Sequence, residues 1–263
     1  MRSIKIEKIM KDGKALFLAY DQGLEHGPVD FNVHNVDPNY VIYIATKGDY
    51  NAFICQKGVA ELYHENYHKK VPLIVKLNGK SNIPRIFPVS KQLCSVKRAV
   101  DLGAAAVGYT IYPGSPLEPE IFAEFSKIQE EAHDYGLPVI AWMYPRGRYV
   151  ENELATSVLA YAARIGMELG ADMIKMKYNG LLEEYKWIVR CAGNTKVVIA
   201  GGEKEPDKQF LQKVSDAMKT GACGMAVGRE VWQHESPMKM SVAINKIIFE
   251  NYSPDDALKI VKE

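Results

Sequence analysis

Eight short apolar runs are spread along the chain. They are ALFLAYD at 15–21, NAFICQ at 51–56, PLIVKLNG at 72–79, AAVGYTI at 105–111, PVIAWMYP at 138–145, DMIKMKY at 172–178, KVVIAGG at 196–202 and CGMAVGRE at 223–230. Most of the intervals hold stretches in which apolar residues recur every three or four positions, as in SVLAYAARIGMELG at 157–170. Near-continuous apolar runs suit strands buried on both faces, and the longer period is that of an amphipathic helix. The pattern therefore predicts eight βα units, a parallel sheet and a covering layer of helices.

Eight units allow the sheet to close on itself, and an open doubly wound sheet is the competing arrangement. DLGAA at 101–105, ELGAD at 168–172 and KTGAC at 219–223 repeat one helix-to-strand junction, in which glycine suits the left-handed turn after a helix. Three copies of one junction favour the repetitive solution. The expectation is an α/β chain folded as a single (β/α)8 TIM barrel domain over residues 1–263, a length close to the roughly 250 residues such barrels use.

Barrels of this kind carry their chemistry at the C-terminal ends of the strands. Those ends supply Asp21, Gln56, Lys76 with Asn78, Tyr109, Trp142 with Tyr144, and Lys175 with Lys177. In DMIKMKY, strand alternation sends Lys175 and Lys177 to one side and Ile174 and Met176 to the other. Apolar residues belong against the helices, so both lysines are expected to face the barrel interior. A second ammonium and desolvation both disfavour protonation, which would leave one amine free to attack a carbonyl carbon. The alternative for either lysine is a solvated rim position or a salt bridge to a carboxylate such as Asp21. Tyr144 is positioned as a proton donor with Trp142 as a wall, although a core aromatic would also fit that pattern. Asp21 opens QGLEHGPVD, which adds His26 and Asp30. After the seventh and eighth strands, AGGEK and VGRE place Gly201, Gly202, Gly228 and Arg229 where barrels often bind phosphate. Arg146 and Arg148 in PRGR are candidates for a second phosphate or for ordinary surface charge.

Composition narrows the partners. Lys plus Arg number 33 against 32 Asp plus Glu, a net charge of +1. That balance supplies no broad attraction for nucleic acid or an anionic membrane. No apolar run approaches the roughly 20 residues of a spanning helix, and a cytoplasmic location is expected. Cys55, Cys94, Cys191 and Cys223 lack the paired spacing of a metal or redox site and read as reduced packing thiols. HENYH at 64–68 matches a zinc-protease pattern, but it precedes the third strand and so lies on the face away from the chemistry.

Taken in order, AYDQGLEHGPVDF, VKLNGK, VGYTIYPGS, WMYPRGR, MIKMKYNG and AVGREVWQ resemble the archaeal-type class I fructose-bisphosphate aldolases over nearly the whole chain. The resemblance implies reversible cleavage of fructose 1,6-bisphosphate to dihydroxyacetone phosphate and glyceraldehyde 3-phosphate, with no metal or other cofactor. It implies Lys175 as the Schiff-base lysine, a choice that alternation alone leaves open between Lys175 and Lys177, and Tyr144 as proton donor. Asp21, Gln22, His26 and Asp30 would line the sugar site, with Trp142, Met176 and Lys177 adjoining substrate. Ala200, Gly201, Gly202, Gly228 and Arg229 would cradle a phosphate. Two departures stand out: Gln22 replaces a histidine of many relatives, and Ala200 replaces a familiar serine. Related enzymes that make aminodeoxyheptulosonate or process phosphorylated autoinducer fragments share the lysine, and the EHGP loop favours the sugar-bisphosphate branch. A homo-oligomer, of decameric type, is a further implication.

Overall fold

Each of the eight runs forms a strand in the computed structural model, which describes residues 3–64, 70–84 and 87–263. The strands are β1 (Ala15–Ala19), β2 (Ala52–Gln56), β3 (Leu73–Lys76), β4 (Ala106–Ile111), β5 (Val139–Met143), β6 (Met173–Lys177), β7 (Lys196–Ala200) and β8 (Gly224–Val227). Neighbours in sequence are neighbours in space, all pairs are parallel, and β8 returns to pair with β1, Ala15 opposite Gly224. This is the expected closed barrel, not an open sheet.

The main outer helices are α1 (Pro38–Lys47), α2 (Val96–Asp101), α3 (Glu118–Asp134), α4 (Thr156–Glu168), α5 (Leu182–Cys191), α6 (Asp207–Lys219), α7 (Pro237–Glu250) and α8 (Pro254–Lys262). In α3 the buried positions Ile121, Phe125, Ile128 and Ala132 follow the helical period and form one stripe against the barrel. Asp37, Ser95 and Ser253 cap α1, α2 and α8 by accepting backbone N–H groups of the first turn. Gly103, Gly170 and Gly221 all have positive φ, as the repeated junction requires. Among the described residues no helix is long and apolar enough to cross a membrane.

Strand alternation divides the apolar residues into two layers. Phe17, Ile54, Ile74, Ile140, Met173 and Val198 fill the barrel interior, while their neighbours pack outward against the helices. The 3-10 turn Ile6–Ile9 closes the N-terminal end, with Ile9 fully buried against the interior cluster. Only the opposite end is left for chemistry. There the interior narrows around Trp142, whose indole lies against Gly108: a Cβ at that position would come within 2.1 Å of two indole carbons.

Between β2 and β3 the chain forms a helical turn, Lys57–Val59, and a single wide turn, Ala60–His64. His64 is buried, with its Nε2 3.0 Å from the Val71 carbonyl oxygen. The rest of the HENYH motif, residues 65–68, lies outside the described residues. All four cysteines are free thiols, with Cys55 and Cys94 buried.

Candidate active site

A cavity of about 400 Å³ opens at the C-terminal ends of the strands. Lys175 reaches into it from β6 with 6% exposure, a burial that an ammonium tolerates poorly. Burial lowers this amine to about 8, and Lys76 pushes in the same direction while Asp21 opposes both. Lys76, at the end of β3, is 3.4 Å from Asp21 Oδ2. Burial alone would raise the Asp21 carboxyl, but Lys76 and Lys175 outweigh it and hold it below the usual carboxylate range. Both amines also sit over the Trp142 ring, Lys175 at 5.0 Å and Lys76 at 5.4 Å from its centroid.

Tyr144 follows β5 on the same inward side as Trp142. Burial, with the negative charge of Asp21 adding to it, drives its hydroxyl well above the ordinary phenol range, so it stays protonated at neutral pH. Arg146 lies over the rings of Tyr144 and Tyr112, at 5.6 and 5.7 Å, and bridges Glu25 at 3.7 Å and Glu153 at 3.4 Å. Among the described residues the buried Trp142 Nε1 and Gln22 Nε2 donors find no hydrogen-bond partner, and both residues line the cavity. Such donors suit the hydroxyl or carbonyl oxygens of a polar ligand.

The far wall is built by the turns after β7 and β8. Ala200, Gly201, Gly202, Gly228 and Arg229 all line it. Gly202 has φ +96°, which a residue with a Cβ rarely adopts. Arg229 donates to Gly202 O at 3.1 Å and pairs with Asp30 at 3.6 Å. Asp30 in turn holds His26 Nδ1 at 2.7 Å. Lys213, from α6, donates to Gly201 O at 3.1 Å and pairs with Glu205. Beneath this loop Glu230 accepts the Glu205 N–H at 3.3 Å, and burial pushes its carboxyl up to about 7 against that hydrogen bond. Two cations and glycine-rich backbone at the ends of β7 and β8 form a wall suited to a phosphate.

A family model described as DeoC/LacD family aldolase matches residues 15–234. The chain belongs to that aldolase family. The class 1 fructose-bisphosphate aldolase of Thermoproteus tenax is 45% identical to it over 240 residues, covering 90% of each chain. That of Halobacterium salinarum is 45% identical over 260 residues, covering 98% of this chain and 99% of its own. A solved archaeal fructose-1,6-bisphosphate aldolase, with its catalytic lysine covalently bound to the carbinolamine intermediate of the substrate, superposes with a TM-score of 0.89. It is 43% identical and covers 92% of this chain and 97% of its own.

Several of the residues expected from the sequence converge in this aldolase, and some do not. Asp21, Gln22, His26, Trp142, Tyr144, Lys175 and Lys177 all line the cavity. Lys177 is not the neighbour that lowers the Lys175 amine, because it is drawn aside to Glu153. That neighbour is Lys76, from a strand three places away in the ring. The Met176 side chain is fully buried among the outer-layer residues and does not line the cavity, as alternation along β6 requires. Asp30 stands behind the lining and acts on it through His26 and Arg229. The Gly201 N–H donates to Ala226 O at 3.0 Å and is therefore engaged within the barrel. Tyr109 points outward and donates to Glu124, and Gln56 bonds to Asn78 O at 3.2 Å, so neither joins the cavity. Arg146 joins it, whereas Arg148 is exposed and rests on Tyr149. Glu153 and Lys213 come from a loop and a helix flank, where strand alternation carries no signal.

Proposed function

We propose that this aldolase reversibly cleaves fructose 1,6-bisphosphate to dihydroxyacetone phosphate and glyceraldehyde 3-phosphate through an imine on Lys175. The observation that carries the proposal is the buried Lys175 amine, held at about 8 and aimed into a cavity that has a phosphate wall. At neutral pH a useful fraction of such an amine is unprotonated and nucleophilic. Its Nζ adds to the C2 carbonyl, the carbinolamine hydroxyl takes up a proton from solvent and leaves as water, and the resulting iminium withdraws electrons as the C3–C4 bond breaks; hydrolysis later returns that proton. The C4 hydroxyl gives up its proton as the aldehyde forms. Asp21, ionised at neutral pH, is placed to take it. The electron pair of the broken bond forms an enamine, and the still-protonated Tyr144 supplies the proton to its C3. Proton return from Asp21 to Tyr144 and hydrolysis of the imine restore the resting site.

The relatives with this activity, and the solved relative with a covalent carbinolamine on its lysine, support the same assignment for this chain. In this reading the Trp142 and Gln22 donors meet sugar oxygens, and Arg229 and Lys213 hold a phosphate. A homo-oligomeric state and a cytoplasmic location belong to the same proposal.

The test is intact mass and peptide mapping after incubation with dihydroxyacetone phosphate and borohydride, on wild type and Lys175→Ala. A reduced adduct on Lys175 that disappears in the variant is the expected result. Absence of an adduct on every lysine would overturn the imine mechanism and leave a phosphosugar-binding barrel or metal-assisted cleavage to consider.

A further inference from the structure

Lys213 reaches the phosphate wall from α6, and its Nζ lies 3.8 Å from where a Cβ on Gly202 would stand, beside the open backbone of the cradle. Behind it lie two carboxyl groups. Glu205, on the loop after β7, pairs with the ammonium directly, and Glu230, on the helical turn Arg229–Trp232, accepts the Glu205 N–H at 3.3 Å. Glu230 is 2% exposed, and among the described residues its Oε1 has no hydrogen-bond partner. A buried carboxylate with one oxygen unanswered costs far more than the neutral acid. Burial accordingly pushes Glu230 up to about 7, with the Glu205 charge adding to it and the Glu205 N–H, Lys213 and Lys204 opposing.

Lys213 is the cation that both carboxyls share. The other charged groups around Glu230 are committed elsewhere. Lys204 donates to Gln233 O at 3.0 Å from an exposed position, and Arg229 is turned to Gly202 O and Asp30. At the start of α6 Asp207 is matched by His234 at 3.2 Å, and Glu203, Glu235 and Lys239 are exposed. A phosphate at Gly202 therefore competes with the two carboxyls for one ammonium. When Lys213 turns to it, Glu230 loses the cation that most favours its charged form and gains a dianion nearby. Both changes favour the neutral acid. Coupling is reciprocal, so an ionised Glu230 weakens the phosphate by the same factor.

We propose that Glu230 is a positioning residue for the phosphate cradle: with Glu205 it sets whether Lys213 faces a bound phosphate or the carboxyls beneath the loop, so that the phosphate enters together with a proton. The proton comes from solvent and rests on the Glu230 carboxyl, and no other covalent bond is made or broken. This rests on the wall after β7 and β8 being the phosphate site of the proposed function, and not on the imine chemistry. Binding is tightest below the Glu230 midpoint, where the acid is already neutral. Above it the proton must be taken up as the phosphate arrives, and affinity falls.

Calorimetric titration with sodium sulfate, an oxyanion whose charge is constant around neutral pH, tests this on the intact protein without any sugar. Repeating it at one pH in two buffers of different ionisation heat counts the protons taken up. At pH 7 Glu230 is about half protonated beforehand, so each sulfate should bring in up to about half a proton. The affinity should fall by up to about tenfold between pH 6 and pH 8. In Glu230→Gln the uptake should vanish and the affinity should change little over that range, and in Lys213→Met sulfate should bind weakly at both ends of it. Wild-type binding without proton uptake overturns the proposal whether or not either variant folds. So does uptake that persists in folded Glu230→Gln, which would assign the proton to another side chain, and so does failure of the wild type to bind sulfate. Borohydride trapping separates this from the aldolase reading: an adduct on Lys175 without proton uptake sustains the activity and sinks the role of Glu230, and uptake without an adduct does the reverse.

Discussion

Gly108 offers a way to move the site without substituting any residue that lines it. It occupies an inward position of β4 under the Trp142 ring, and an alanine Cβ there would lie 2.1 Å from both Cη2 and Cζ3 of the indole and 3.2 Å from Cε3. Carbon atoms in ordinary contact sit about 3.5 Å apart, so the ring must retreat by roughly 1.4 Å. Trp142 is 1% exposed and has the interior cluster beneath it, so the displacement is taken up as strain. Overpacking of this kind costs about 1 to 3 kcal/mol of stability. The two amines rest on the displaced ring, and misplacement of reacting groups by about 1 Å costs on the order of 100-fold in rate. We therefore expect Gly108→Ala to lower the urea midpoint and to reduce kcat/KM for fructose 1,6-bisphosphate, followed by coupled oxidation of the released triose. Gly58→Ala is the control, since a Cβ there meets none of the described residues within 4 Å. If Gly108→Ala matched Gly58→Ala in both measurements, the indole would not be the platform that sets the lysines, and the packing account would be wrong.

Two further outcomes follow from the same geometry. Lys175→Met should stabilise the fold at neutral pH, because holding an amine at about 8 instead of 10.5 penalises its ammonium by on the order of 3 kcal/mol. Between those two values the folded wild type binds fewer protons than the unfolded chain, so wild-type stability rises with pH and the advantage of the variant should shrink across that window; chemical denaturation at pH 7 and near 10 measures both, and a less stable variant would contradict the account. Tyr144→Phe should reduce turnover by roughly 100-fold to 10,000-fold while leaving borohydride trapping on Lys175 intact, since in the proposed mechanism it removes a proton donor and not the nucleophile. Unchanged turnover would assign the proton to another group.

The barrel was legible because each strand is a short apolar run bounded by its own turn signal, and because the three glycine junctions repeat. Lys175 was legible as an inward residue for the same reason, since period-two alternation along DMIKMKY assigns both faces. Its electrostatic partner was not. Lys76 was visible as a polar strand end, but pairing it with Asp21 depends on where the closed ring brings β1 and β3, which no local pattern states. Lys177 misled because alternation gives a direction and says nothing about a carboxylate such as Glu153 arriving from a loop. Tyr109 misled for a different reason: the inward position beside it is Gly108, so the large residue of the strand reads as the inward one. The two cations behind the glycine turns divide similarly, Arg229 following a recognisable strand end and Lys213 arriving from the flank of α6.

Closure of β8 onto β1 has a consequence for what reactivity requires of the chain. Asp21 follows the first strand and Arg229 the last, yet both line one cavity, with Asp30 joining the opening loop to the closing one. The segment from β1 to β6 carries every residue of the lysine cluster but not the wall proposed to hold a phosphate against it. The final seam couples these parts, so enzymatic competence requires both ends of the chain to be joined. Recovery of activity in a refolding experiment accordingly reports the joined seam, whereas a circular dichroism signal reports the secondary structure on either side of it.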